Sequence, residues 1–121
     1  MTERAKPAIV LVTGGRDYRN KQHVWSTLDS VATYYPGFAC VQGGASGADA
    51  LAKAWAVAHG HPSFTCDAAW DFYGPRNAGP IRNGFMVEFM RIDLLIWFPG
   101  GAGTANMIKQ ASSLNIPCYE G

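Results

Sequence analysis

The chain has 121 residues, 48% of them hydrophobic and 16% charged, with a net charge of +1 at neutral pH. That length suits one domain, residues 1–121, with a real core and leaves no room for two, and the composition excludes an intrinsically disordered chain. A charge so near zero lacks the positive field of a general nucleic-acid binder, so nucleic acid is not an expected partner.

Residues 1–6 are charged, and the apolar run at 8–12 is far shorter than a signal-peptide core or a membrane span. No membrane association and a cytoplasmic location are therefore expected. The run at 8–12 is continuous and β-branched, as in a strand covered on both faces, and it stops at Thr13-Gly14-Gly15-Arg16. Val24, Leu28, Val31 and Tyr35 then recur at helical spacing until Pro36-Gly37. Residues 38–41 read as a second strand, and 46–58 as an alanine-rich helix packed closely on a sheet, with Gly60 as its C-cap. Residues 62–66 form a short third strand.

Residues 67–80 have no useful period, yet hold Trp70, Phe72, Tyr73, Arg76 and Asn77, which suits a functional loop better than a linker. Ile81, Phe85 and Phe89, with Met86 and Met90 beside them, mark a helix ending before Asp93. Residues 94–98 are another apolar strand, Met107, Ile108, Ala111 and Leu114 another helical stripe, and 116–119 an edge strand. Strict alternation predicts an α/β, Rossmann-like three-layer fold with a mostly parallel sheet of about five strands. Cys40, Cys66 and Cys118 lack metal-ligand spacing and read as reduced thiols; His23, His59 and His61 form no triad or metal pattern and suit surface positions. No metal and no cofactor is expected.

Two apolar runs end in glycine-rich turns that open into helices: Gly43-Gly44-Ala45-Ser46-Gly47-Ala48-Asp49 and Pro99-Gly100-Gly101-Ala102-Gly103-Thr104. Such a turn presents unpaired N–H groups and a positive helix end, and glycine lets an anion approach the backbone closely. The second is not a Walker A loop, because the Lys-Ser/Thr ending is absent. If the first and fourth strands are neighbours, Gly14-Gly15-Arg16 faces Pro99-Gly100-Gly101 across the crevice where ligands of open sheets bind.

Other rim residues extend the candidate site. Thr104 either caps its helix or bonds a phosphate oxygen, and Asp49 either accepts from a ribose hydroxyl or complements a helix dipole. Arg16, Arg76 and Arg82, the latter two followed by Asn77 and Asn83, offer guanidinium forks for a phosphate. Trp70 or Tyr73 could stack a base or belong to the core. Glu88 is either a water-orienting rim group or a solvated helix residue. Phe85, Met86, Phe89 and Met90 either fill the core or form the face of a homodimer or higher homo-oligomer.

Taken together these motifs resemble a known superfamily. The loop at 43–52 is similar to the glycine loop of the Smf/DprA proteins, and Ile81-Arg82-Asn83 to their Arg-Asn helix start. Pro99-Gly100-Gly101-Ala102-Gly103-Thr104 resembles the Pro-Gly-Gly-x-Gly-Thr signature of the Lonely Guy phosphoribohydrolases. The order of the three, with Gly14-Gly15-Arg16-Asp17 near the start, resembles the SLOG superfamily and within it the YspA-like, cpYpsA-related branch. The resemblance implies a Rossmann-like sheet whose rim binds a nucleotide-type ligand, such as a nucleoside monophosphate, an ADP-ribose-like molecule or a cyclic signal. It departs at Met107, where Lonely Guy enzymes carry a catalytic glutamate; methionine can neither activate water nor stabilise an oxocarbenium-like centre.

Sensing or sequestration of a nucleotide is therefore the expected function. The alternative is a hydrolase of an N-glycosidic or phosphate bond, with Glu88, Asp49 or Asp71 in place of the missing glutamate and Arg82 on the phosphate. A single-stranded DNA-binding module is the weaker alternative.

Overall fold

A computed structural model describes residues 7–68, 74 and 77–121. The described residues form β1 (Ile9–Thr13), α1 (Lys21–Tyr34), β2 (Ala39–Gln42), α2 (Ala48–Ala58), β3 (Ser63–Thr65), α3 (Ala78–Phe89), β4 (Leu94–Trp97), α4 (Ala102–Ser113) and β5 (Cys118–Glu120). The five strands make one parallel sheet in the order β3-β2-β1-β4-β5. Leu11 lies opposite Val41 on one side and Leu95 on the other. The chain winds outward through β2 and β3, then returns to β4 and winds the other way. Strand order thus reverses between β1 and β4, and the turns that follow those strands flank the crevice.

The continuous apolar strands are explained by burial on both faces. Val10, Val12, Cys40, Leu94 and Ile96 pack with Val24, Leu28, Ala52 and Trp55 of α1 and α2. Leu11, Val41 and Leu95 point the other way, onto Met86, Val87, Met107 and Ala111 of α3 and α4. Alanines at 48, 52 and 56 are fully buried, which lets α2 lie close to the sheet.

Local signals set most element ends. Asn20 caps α1, its Oδ1 accepting from His23 N at 3.1 Å. Gly60 follows the last turn of α2 at φ +73°, the left-handed position glycine tolerates. The start of α3 corrects the expectation that 67–80 is without regular structure: the helix begins at Ala78 and takes Gly79 and Pro80 into its first turn. Proline is accommodated there because its missing N–H would have no intrahelical acceptor. α4 likewise begins at Ala102, so Gly103 and Thr104 are helical rather than turn residues.

Of the four residues offered as an oligomer face, Met86 is core, while Phe85 and Phe89 are 52% and 68% exposed, with ring centroids 5.2 Å apart. Among the described residues, no helix is long and apolar enough to cross a membrane.

Gly47, at the start of α2, has φ +75°, and a Cβ on it would strike the carbonyl oxygens of Gly15 and Arg16. Gly37 has a similar φ of +70° but nothing within 4 Å of a Cβ. Gly47→Ala is therefore expected to lower unfolding free energy by more than about 2 kcal/mol, and Gly37→Ala by about 1 kcal/mol, in urea titrations.

Candidate ligand-binding cleft

Three turns meet at the switch point. Gly15 N donates to Pro99 O at 2.9 Å, tying the turn after β1 to the turn after β4, and Gly15 O accepts from Ala48 N at 3.2 Å, tying it to α2. Side chains would not fit between them. A Cβ on Gly14 would stand 2.6 Å from Ala48 Cβ, one on Gly15 2.8 Å from Pro99 O, and one on Gly100 2.6 Å from Gly15 N. Gly101 and Gly103 differ, since a Cβ on either meets nothing within 4 Å. The first set of glycines allows backbones to touch; the second leaves open space.

That space is a cleft of about 420 Å³, within the range of small-molecule sites. Its walls are Thr13, Gly14, Gly15 and Arg16 after β1; Gly43, Ala45 and Asp49 after β2; Gly79, Pro80, Arg82 and Asn83 of α3; and Gly101, Ala102, Gly103, Thr104, Asn106 and Met107 of α4. The N-cap of α4 is Gly101, with no side-chain capping bond. The N–H groups of the first helical turn therefore reach the cleft wall without an intrahelical acceptor, at the positive end of a 12-residue helix.

Asp49 sits in the opposite wall and is 6% exposed. Its Oδ2 accepts from Gly43 N at 3.1 Å and Ala45 N at 3.2 Å, while Oδ1 is buried with no hydrogen-bond partner. Desolvation lifts its pKa from the usual carboxylate range to about 6, against the pull of the Ala45 N–H, the Arg82 charge, the Gly43 N–H and the Arg16 charge. Burial also pushes the Cys40 thiol up to about 12, so that thiol is inert.

Arg82 is more committed than expected. Its Nη1 donates to Gly43 O at 2.7 Å and Cys66 O at 3.2 Å, and its Nε to Asn83 Oδ1 at 2.8 Å. It lines the cleft, yet it also clamps the ends of β2 and β3 to α3, and a Cβ on Gly43 would displace the guanidinium. Asn83 is buried and continues the chain of donors, its Nδ2 reaching Asn106 Oδ1 at 3.0 Å and Gly103 O at 3.3 Å.

Most of the other candidates fall outside the lining. Gly44, at φ +77°, packs against Asp67; Ser46 Oγ donates to Arg16 O at 3.1 Å; Gly47, Pro99 and Gly100 hold the turns together. These residues build the walls and do not face the space. Thr104 is buried beneath Gly100 at the cleft edge and does not cap its helix. Asn77 is the exposed N-cap residue of α3 and makes no capping bond. Glu88 is exposed and away from the cleft, which leaves it the solvated helix position and removes it as a group acting on water there. Trp70, Asp71, Tyr73 and Arg76 lie outside the described residues. Of the histidines expected at the surface, His59 is exposed, its ring stacked on Trp55 at 4.6 Å, while His23 and His61 are half-buried, the His61 ring packing on Phe38 and Trp55. Sequence reasoning passed over Asn106 and the Gly79-Pro80 start of α3. Their signal lay in helical spacing, since residue 106 stacks one turn beyond Gly103.

Fold and cleft define a Rossmann-like α/β domain with a cleft at the switch point of its sheet. The chain belongs to the YspA, cpYpsA-related SLOG family, whose profile matches residues 8–73. It is 33% identical over 118 residues to the Gene 61 protein of Mycobacterium phage D29, covering 89% of this chain and 91% of that one. Two solved structures share the fold. TM1055, known from an X-ray structure, matches with a TM-score of 0.71 at 16% identity, over 92% of this chain and 72% of that one. DNA processing protein A from Helicobacter pylori, described for its single-stranded DNA binding mode, matches with a TM-score of 0.72 at 19% identity, over 94% of this chain and 65% of that one.

The raised pKa of Asp49 has a definite sign. Its folded value of about 6 lies above the unfolded value near 3.9, so its contribution to stability is full below pH 4 and is lost as pH rises through 6. The loss amounts to about 3 kcal/mol. An amide at this position cannot titrate, so the difference in unfolding free energy between wild type and Asp49→Asn should shift by about that amount from pH 4 to pH 7, read by denaturant titration.

Proposed function

We propose that the cleft binds a nucleotide or nucleotide-derived ligand, with a phosphate on the start of α4, and that the protein senses or sequesters this ligand. The observation that carries the reading is the uncapped N-terminus of α4, where Gly101 and Gly103 leave open space in front of unpaired N–H groups. An anion answers both the free donors and the dipole. A nucleoside monophosphate, an ADP-ribose-like molecule or a cyclic nucleotide each brings such a group, and family membership supports this class.

Binding without cleavage is favoured by Met107. It is 2% exposed and packed in the core between α4 and the sheet, where an apolar thioether offers no general acid or base. Among the described residues of the wall, Asp49 is the remaining carboxylate, and it anchors the hydrolase alternative. A second reading, single-stranded DNA as the partner, draws support from the likeness to DNA processing protein A and runs against the expectation from charge. At +1, the chain supplies little of the electrostatic term on which such binding depends.

Thermal melts with AMP, ADP-ribose, NAD and cyclic nucleotides test the reading, since ligand at a hundred times Kd adds about 2.7 kcal/mol to stability. At least one is expected to raise Tm by several degrees, and Gly101→Asp to abolish the rise while melting like wild type in its absence, because the new carboxylate enters open space rather than the core. Release of base or phosphate from the stabilising ligand, absent in Asp49→Asn, would replace sensing with hydrolysis.

A further inference from the structure

The cleft holds a side chain whose hydrogen-bonding sense is dictated from outside it. Asn106, half-buried in the first turns of α4, lines the cleft one turn beyond Gly103. An amide group can in principle face either way, presenting its oxygen or its NH₂ to a ligand. Here the choice is closed by neighbours with only one sense. The Arg82 guanidinium can only donate, and its Nε gives its proton to Asn83 Oδ1 at 2.8 Å. Asn83 must then turn Nδ2 the other way, where it donates to Gly103 O, a carbonyl that can only accept, and to Asn106 Oδ1 at 3.0 Å. From the other side Gln110 Nε2 donates to Pro80 O at 3.1 Å, again a carbonyl, and to Asn106 Oδ1 at 2.8 Å. Two donors thus converge on one oxygen. Reversing Asn106 would set its NH₂ against both, so the Nδ2 group is left for the cleft, and among the described residues nothing accepts from it.

We propose that Asn106 is a specificity-determining residue whose Nδ2 donates to a phosphate oxygen of the ligand beside the start of α4, with Asn83 and Gln110 as the positioning residues that fix its sense. The inference rests on the reading that an anion occupies the α4 N-terminus, and adds a side-chain donor to its backbone donors. A phosphate fits this arrangement because the helix start and the Asn106 amide both offer protons from the same helix within one turn. The relay also accounts for Gln110, a polar helix residue whose amide is spent on protein partners although it does not line the cleft.

The test uses AMP and ADP-ribose as probes on the full chain, by calorimetry, with Gly101→Asp as the reference for loss of the anion site. Asn106→Asp keeps an oxygen for Asn83 and Gln110 but turns a second, charged oxygen to the cleft, and should weaken the binding of either probe about a hundredfold at unchanged Tm. Asn106→Ala, which removes the donor without adding charge, should weaken it about tenfold and guards against misfolding of the first variant. Gln110→Leu should weaken binding several-fold in the wild-type background and not at all in the Asn106→Ala background, a coupling that a general loss of packing would not produce. Wild-type affinity in both Asn106 variants, with Gly101→Asp inactive, would overturn the inference and leave the anion site standing. Equal losses for Gln110→Leu in both backgrounds would overturn the relay. If neither probe binds the wild-type protein, the anion-site reading and this inference fall together for these nucleotides.

Discussion

The structure depends on how closely three backbone turns approach at the point where the sheet reverses its strand order. Gly15 is held between Pro99 O and the start of α2, with no room for a side chain at Gly14, Gly15, Gly47 or Gly100. Once those turns lock, β1 and β4 are neighbours and the helices that follow them stand on opposite faces of the sheet. The crevice between them is then a geometric consequence. The clustering of glycines is thus first a packing requirement, whereas Gly101 and Gly103 border open space.

A second layer of order is electrostatic. Arg82 joins the loop after β2, the end of β3 and α3 through bonds to Gly43 O, Cys66 O and Asn83. Its charge, with that of Arg16, moderates the cost of burying Asp49, whose Oδ2 already takes two backbone protons. The guanidinium also sets the direction of the relay that runs through Asn83 to Asn106. One part-buried cation therefore shapes both walls of the cleft, a role that a search for a phosphate-binding arginine does not anticipate.

The fold was largely legible in the chain because burial on both faces leaves a plain mark. Short unbroken apolar runs such as those at 8–12 and 94–98 suit strands buried on both faces, and the helical stripes between them suit parallel crossovers. Boundaries were less legible where a helix begins with residues that usually end one: Gly79-Pro80 and Ala102-Gly103 read as turns although they are first helical turns. Glycines were legible as a group but not in their division of labour, since composition cannot tell a backbone contact from an open face. Asn106 and Gln110 carried no motif, and their part emerges only from partners more than 20 residues away, Asn83 and Pro80.

Taken alone, the sequence determined the layer architecture, the rim on which the turns gather and the lack of a carboxylate at Met107, because periodicity and residue chemistry are local properties. Tertiary structure decided which side chains face the cleft, which nitrogen of Arg82 is already spent and which way the Asn106 amide points. Those are matters of contact between distant segments, and hydrogen-bond sense passes along a chain of neighbours that no single stretch of sequence contains.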